Sequence, residues 1–448
     1  MDRLPLELLQ RVLMHLDLQD LPNVALSCPC LFNAFKGAEE IITGQVLFGQ
    51  INYDVLPEAI LVNKTRNLPK SSVGEQLEFV KVHLDHREPP PTQWNLADAL
   101  PLAQFHEKVN YLATRAADDA LTRQPRLLAT GEPPTCAEIC RFERALYRFQ
   151  LYCNILGPLF YSAVLADYHE LEDLFFEYFC TWENEQLACI HEHLVREVSI
   201  PFNYLVEHDI TWGYMAIPYI SEHCSDYAQA ILSHGIDKIY QLVQPLSTYA
   251  EWHALLSCGE ESYNEPRFMT GFLGGGLERG ASPLIPPWVP LCEMDAEYKE
   301  FVINQPFYQD PDPGPVSMWE WIYREFGPGE LVADPRMIVH RQWAFPFWDH
   351  SRLEAAGLLG DPMIPGPWCI SELELAQFDM EDHLASLAET RRARRKIWEA
   401  GGFGWYSHQD SSQVKWRVYE HERPTRLAQL QSLGEAKNFV KATAGLLI

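Results

Sequence analysis

The sequence predicts a mainly α-helical protein, and three observations support this fold class. Apolar and charged residues mix at 3- and 4-residue intervals over most of the chain, which is the spacing of a half-buried helix. Alternating strand patterns are scarce, and Pro-rich breaks separate the helical blocks. With 448 residues and 47% hydrophobic content, the chain is long enough for two or three folded bodies, and general disorder is excluded.

Residues 4–35 predict three short helices that are rich in leucine. The first runs from about Pro5 to His15, the second starts near Asp20, and the third starts at Pro29. Apolar residues recur in them at helical spacing: Leu6, Leu8, Leu9, Val12, Leu13, Leu16, Leu21, Val24, Cys28, Leu31, Phe32 and Phe35. A segment of this size cannot bury so many apolar side chains by itself, so another surface must cover part of them.

The order of these residues resembles the F-box motif. Leu4-Pro5 is followed by Glu7-Leu8-Leu9, Val12-Leu13, Leu16-Asp17, Asp20-Leu21, Val24 and Cys28. The resemblance implies an F-box over residues 1–45 that binds a Skp-type adaptor and, through the adaptor, a cullin-based ubiquitin ligase. The implied adaptor contacts are Leu4, Pro5, Leu8, Leu9, Val12, Leu13, Leu16, Leu21 and Val24.

The alternative is an N-terminal helical piece that packs on the protein's own core. An arbitrary leucine-rich helix would reproduce the apolar stripe, but it would not also place the Leu-Pro start, the Leu-Asp break and the Asp-Leu restart in register. The F-box interpretation is therefore preferred.

Residues 46–448 are expected to form a larger, mostly helical target-recognition region with long Pro-rich loops and a candidate linker over 261–315. Gly401-Gly402 is a typical helix stop, and Asp379 is the candidate cap of the helix before it. The other expected helices are Glu75–His86, Trp94–Ala120, Cys136–Leu156, Tyr168–Val198 and Cys224–Val243.

Two stretches of the last third, RQWAFPFWDHSRLEAAGLL at 341–359 and RRKIWEAGGFGWYS at 394–407, resemble the C-terminal regions of a divergent group of filamentous-fungal F-box proteins. That group often has a Trp-Gly pair before the Trp-Asp pair. In this chain Ala344 follows Trp343 and Pro346 interrupts the pattern, so the sequence departs from the group there.

No familiar catalytic or metal-binding pattern is present. Cys136 and Cys140 could share a helical face but have no second ligand pair nearby, while His191 and His193 lie on opposite sides of a helix. The Gly-rich run at 271–276 lacks the Lys of a phosphate-binding loop. We therefore expect no metal, no cofactor and no enzymatic activity. Two alternatives stay open: an F-box protein that acts outside a cullin ligase, and an enzyme with an unrecognised site in the C-terminal body.

Charge and composition limit the partners. A net charge of −27 repels phosphate backbones and anionic lipids, so we expect neither nucleic-acid nor membrane binding. The longest apolar stretch, Leu151–Ala166, is shorter than the roughly 20 residues of a membrane span. Eleven cysteines without regular spacing fit reduced thiols, which favours the cytoplasm, the nucleus or both.

Two clusters near the C-terminus each allow two interpretations. The basic run Arg391, Arg392, Arg394, Arg395 and Lys396 fits the negative end of a helix dipole or, less well, a site for nuclear import or for an acidic partner. The tryptophans of the last third are expected mainly in the core, and a few of them could line a recognition groove. These tryptophans are Trp319, Trp321, Trp343, Trp348, Trp398 and Trp405.

Overall fold

The computed structural model confirms a mainly α-helical chain. It describes residues 4–66, 68, 73–84, 90, 91, 93–156, 174–220, 226–245, 248–257, 291–296, 306–324, 335–360 and 388–416. Within these ranges, extended structure is limited to a two-stranded ribbon and one isolated bridge. The contacts divide the chain into two units, the first Met1–Asn203 with Tyr219–Gln377 and the second Tyr204–Pro218 with Phe378–Ile448.

The three predicted N-terminal helices are confirmed, and each has a proline at or next to its start. They are α1 (Leu6–Leu13), α2 (Leu21–Ala25) and α3 (Pro29–Lys36). Pro5 lies just before α1, and α2 and α3 each have a proline in the first turn, where the missing N–H breaks no helical hydrogen bond. Helices α1 and α3 pack against each other.

Further helices of the first unit centre on α9 (Cys136–Ile155), of whose 20 residues 15 are buried. Helices α5 (Leu56–Thr65) and α7 (Leu96–Arg123) both pack against it. The helices after α3 are α4 (Glu39–Gln50), α5 (Leu56–Thr65), α6 (Val73–His83), α7 (Leu96–Arg123), α8 (Pro125–Leu128), α9 (Cys136–Ile155), α10 (Thr181–His208, in this unit to Asn203), α12 (Asp226–Leu232), α13 (Ile236–Val243), α14 (Tyr249–Ser257), α15 (Gly314–Tyr323), α16 (Pro335–Gln342) and α17 (His350–Ala355). Short 3₁₀ turns lie at Leu291–Glu293 and Phe345–Phe347.

Side-chain caps start the two helices that frame the core. The Asn95 side chain accepts a hydrogen bond from the Asp98 N–H at the start of α7 (2.9 Å). At the start of α9, Thr135 and Glu138 form a capping box in which each side chain accepts from the other residue's N–H (3.2 and 2.8 Å). Both caps satisfy N–H groups that a helix start otherwise leaves unpaired.

The single helix predicted over Cys224–Val243 is wrong. The chain breaks between α12 and α13 at Gly235, whose φ of +78° favours glycine. A Cβ at this position would lie 2.6 Å from the Gln150 side chain, which accepts a hydrogen bond from the Ile236 N–H. Helices α4 and α5 were not predicted. They fill the segment directly after the F-box motif, and a cut at residue 45 would fall inside α4.

The predicted linker 261–315 is described only at 291–296 and 306–315. Its second part is bonded to the helical unit: the backbone N–H groups of Phe307 and Tyr308 donate to the Glu183 carboxylate (2.7 and 3.0 Å). Phe307 is buried, and α15 begins at Gly314. Residues 306–315 are therefore held against α10.

The second unit contains the end of α10, then α11 (Ile210–Met215), a helix over 388–399 that we number α18, and the ribbon of β1 (Gly402–Gly404) and β2 (Val414–Trp416). The strands are antiparallel, with Gly402 opposite Trp416. The expected helix stop is confirmed, since α18 ends just before Gly401, which has a φ of +89°. The expected cap, Asp379, lies outside the described residues.

Candidate adaptor surface and recognition groove

The nine residues implied as adaptor contacts divide by exposure. Three are buried at 5% exposure or less: Leu9, Leu13 and Leu21. Three residues are 44–45% exposed, Leu8 and Val12 one turn apart on α1 and Leu4 just before the helix, and we call them the α1 stripe. Pro5 is also exposed, and Leu16 and Val24 are half-buried.

This division arises because α1 has two neighbouring apolar faces. Leu9 and Leu13 lie one helical turn apart in the core beneath α1, where α3 packs and contributes the buried Leu31 and Phe35. Gln10 fixes this packing by donating from Nε2 to the Ala34 carbonyl (3.2 Å). The buried leucines therefore hold the three helices together, and the α1 stripe is left for another surface.

Three more apolar side chains of this region are exposed, namely Leu6 at 50%, Leu26 at 70% and Phe32 at 42%. Leu26 was missed by the sequence analysis, since it lies off the helical stripe at the end of α2. Several large exposed apolar side chains within one short domain are typical of an interaction surface. Burial of each of these side chains by a partner contributes about 1.5–3 kcal/mol to the gross free energy of binding.

A groove of about 720 Å³ lies along one face of α7, from Ala103 to Asp118, and Gln50 of α4 also lines it. We call it the α7 groove. The Gln50 side chain also accepts from the Leu18 N–H and donates to the Asp17 carboxylate, both at 3.3 Å. The groove is thereby joined to the turn between α1 and α2. No sequence pattern predicted this groove.

Beneath this groove lies a buried polar cluster. His106 Nδ1 lies 3.1 Å from the Tyr147 hydroxyl, and Nε2 lies 3.6 Å from a Glu143 carboxylate oxygen. Burial lowers the pKa of His106 to about 4 and raises the pKa of Glu143 to about 7. The imidazole is therefore neutral at physiological pH, and the cluster adds no positive charge to the groove.

The 341–359 stretch is a packing element of the first unit. Arg341 is fully buried between α10 carboxylates, with Nε 2.6 Å from Glu185 and Nη1 3.0 Å from Glu192. Trp343 and Trp348 are buried, and Asp349 pairs with Arg141 of α9 at 2.7 Å. Sequence reasoning found the stretch but missed its acidic and basic partners, because most of them lie more than 100 residues away.

The basic run is partly structural. Arg394 is fully buried and donates from Nη1 to the carbonyls of Val206 (2.6 Å) and Asp209 (2.8 Å). Arg391 donates to the Ile217 carbonyl (3.1 Å). Of the six tryptophans, Trp319, Trp343 and Trp348 are buried, and Trp321, Trp398 and Trp405 are half-buried. Trp398 stacks on Tyr214 within the second unit.

Among the described residues, no group of three or more His, Cys, Asp or Glu side chains could hold a metal ion. His191 and His193 are buried and have separate partners, Gln229 and Asp119. Cys140 is buried as expected, whereas Cys136 is exposed. The Gly-rich run at 271–276 lies outside the described residues. No helix within the described ranges has both the length and the apolar character needed to cross a bilayer.

Comparison with known families agrees with the N-terminal motif. Residues 1–39 match the family model of the F-box domain. The chain therefore contains an F-box domain, as its residue pattern predicted. The comparisons with curated proteins and with solved structures each gave no match. The resemblance of the last third to fungal F-box proteins stays a prediction.

Proposed function

We propose that this protein is the substrate receptor of a Skp/cullin/F-box ubiquitin ligase. F-box domains bind Skp-type adaptors, and the single observation that carries the proposal for this chain is the exposed α1 stripe inside the matched domain. The adaptor covers Leu4, Leu8 and Val12, whereas Leu9, Leu13 and Leu21 support the surface from within. The cytoplasm, the nucleus or both are the proposed location.

The rest of the chain recruits a target protein, and its part in the reaction is positional. A target held on the ligase places its lysines at high effective concentration near the ubiquitin-carrying enzyme, so rate is gained by proximity. The receptor itself then makes and breaks no bond. The bonds between Gln50 and the Asp17–Leu18 turn support this role, because they fix part of the helical body against the F-box.

The test is co-purification from cells with the proteasome inhibited. The full chain is expected to bring down a Skp-type adaptor together with a cullin, and the Leu8→Asp/Val12→Asp double variant should lose both. Ile200→Asp is the matched control, since Ile200 is 60% exposed on α10 and lies outside the matched residues 1–39, and it should keep both.

Capture of the adaptor without a cullin would reject the ligase assignment in favour of an F-box protein that acts outside a ligase. Capture of the adaptor by the double variant at the level of Ile200→Asp would reject the α1 stripe as the binding surface.

A further inference from the structure

We infer that the α7 groove binds an extended segment of a partner protein with two basic residues about five positions apart. The inference rests on the proposed function, because it names the chemistry of the target that this receptor would recruit. Three features of the groove support it: its shape, the charges toward its ends and the hydrogen-bonding groups between them.

The groove has a carboxylate toward each end. Glu107 and Asp118 line it, both are exposed, and neither forms an ion pair with another described residue. They are eleven positions apart on one helix, which is close to three full turns, so they share a face and lie about 16 Å apart along the axis. Unpaired charges of one sign on a concave surface favour a ligand of the opposite sign.

The other charged groups nearby do not offset these carboxylates. Arg115 also lines the groove, but its Nε lies 2.6 Å from the Glu197 carboxylate of α10. Lys108 pairs with Asp237 of α13. The buried His106 is neutral at physiological pH, because burial lowers its pKa. Unpaired charge in the groove is therefore negative.

Between the two carboxylates lie groups that suit a peptide backbone. The Asn110 carboxamide accepts from the Thr114 hydroxyl (3.3 Å), and within the described residues its own N–H groups have no partner. Tyr111 is half-buried and held edge-on against Tyr240, with ring centroids 5.3 Å apart, which keeps its ring in place for a cation. The Asn110 carboxamide therefore offers hydrogen-bond donors to a peptide backbone between the two carboxylates.

The length of the groove sets the form of the ligand. An extended peptide rises about 3.3 Å per residue, so side chains five positions apart span about 16 Å, the separation of Glu107 and Asp118. Successive side chains of an extended chain point to opposite faces, so separations of four and six residues place both basic side chains on one face, and a separation of five requires the chain to twist between them.

The test uses the full-length protein on an array of acetylated octapeptides. Each peptide carries two lysines at a defined separation on a background of serine, threonine and alanine, and a parallel set carries two glutamates. Binding is expected to peak at separations of four to six and to be absent from the glutamate set. The Glu107→Gln/Asp118→Asn double variant should bind the best peptide roughly tenfold more weakly, the loss expected for two exposed ion pairs.

Glu78→Gln is the control, because Glu78 is exposed on α6 outside the groove, and it should bind like the unmodified chain. Equal binding at all separations, preference for the glutamate set, or an unchanged affinity of the double variant would overturn the inference. Adaptor capture is measured on the same samples. If the unmodified chain captures the adaptor but shows no preference for a lysine separation, the groove assignment alone is rejected. If it shows that preference but captures no adaptor, the receptor function alone is rejected.

Discussion

Glu138 and Arg352 are 214 positions apart in the sequence and form a buried two-point ion pair, with Nε to Oε1 at 2.8 Å and Nη2 to Oε2 at 2.9 Å. Glu138 also closes the capping box of α9, and its Oε1 accepts from the Asp349 N–H (3.0 Å). One carboxylate therefore joins the start of α9 to the 341–359 stretch.

Glu138→Gln is expected to lower the free energy of unfolding by about 3 kcal/mol, because it leaves Arg352 buried without its counter-charge while glutamine preserves the capping box. The measurement is urea unfolding followed by circular dichroism. Glu399→Gln removes the exposed pair of Arg395 and Glu399 (3.1 Å) and should cost less than about 1 kcal/mol. Equal losses of unfolding free energy in the two variants would show that the buried ion pair stabilises the fold no more than the exposed one.

Two glycine substitutions should change stability in opposite directions. Gly235→Ala forces a side chain into a left-handed backbone against Gln150, so we expect a loss of about 2 kcal/mol. Gly49→Ala places a methyl group in open space on α4 and should add about 0.5–1 kcal/mol. Thermal unfolding of both variants tests the pair, and a destabilised Gly49→Ala together with a neutral Gly235→Ala would contradict the description of both sites.

Glu58 should make stability fall as pH rises. Burial raises its pKa from 4.5 to about 7 against the opposing effect of Arg144 and Arg148, and its carboxylate oxygens have no hydrogen-bond partner among the described residues. The folded state then holds a proton between pH 4.5 and 7 that the unfolded state releases, so this contribution is full below pH 4.5 and is lost through pH 7.

Glu58→Gln stays neutral and lacks this dependence. Relative to the unmodified chain, it should gain up to about 3 kcal/mol of stability between pH 5 and pH 8. Urea unfolding of both proteins at the two pH values measures the difference. A constant difference would mean that the Glu58 carboxyl is not desolvated in the folded protein.

The F-box could be predicted because its information is local. A proline lies at or next to the start of each of α1, α2 and α3, and the motif is complete within 35 residues. Exposure within the leucine stripe could not be predicted in the same way. Periodicity shows that Leu8 and Leu9 are both on the apolar side, but only the packing of α3 decides that Leu9 is covered.

Features that depend on distant contacts were missed. The ion pairs of Arg341 with Glu185 and of Arg352 with Glu138 join segments 156 and 214 positions apart, and no local pattern marks such partners. The α7 groove was missed for a related reason. Its polar residues form the ordinary solvent face of a helix, and α4, which was itself not predicted, contributes Gln50 to its lining.

The buried leucines and the α1 stripe should respond differently to substitution. Leu13→Ala removes a fully buried side chain and should cost about 2–5 kcal/mol of stability with little direct effect on adaptor contacts. An aspartate at Leu9 or Leu13 would unfold the F-box, so loss of binding in such variants reports folding rather than the interface. Urea unfolding of Leu13→Ala checks this, and a stability equal to that of Val12→Ala would contradict the assignment of Leu13 to the core.

The most direct test of the receptor assignment is the affinity of the purified full chain for a purified Skp-type adaptor, measured by titration calorimetry with Val12→Asp and Ile200→Asp as the compared variants. Val12 is 44% exposed on the α1 stripe, so Val12→Asp should fold normally and bind at least about 100-fold more weakly, because the charge must be buried without a partner. Ile200→Asp should bind like the unmodified chain. Equal affinity of the two folded variants, or no binding by the unmodified chain, would contradict the account.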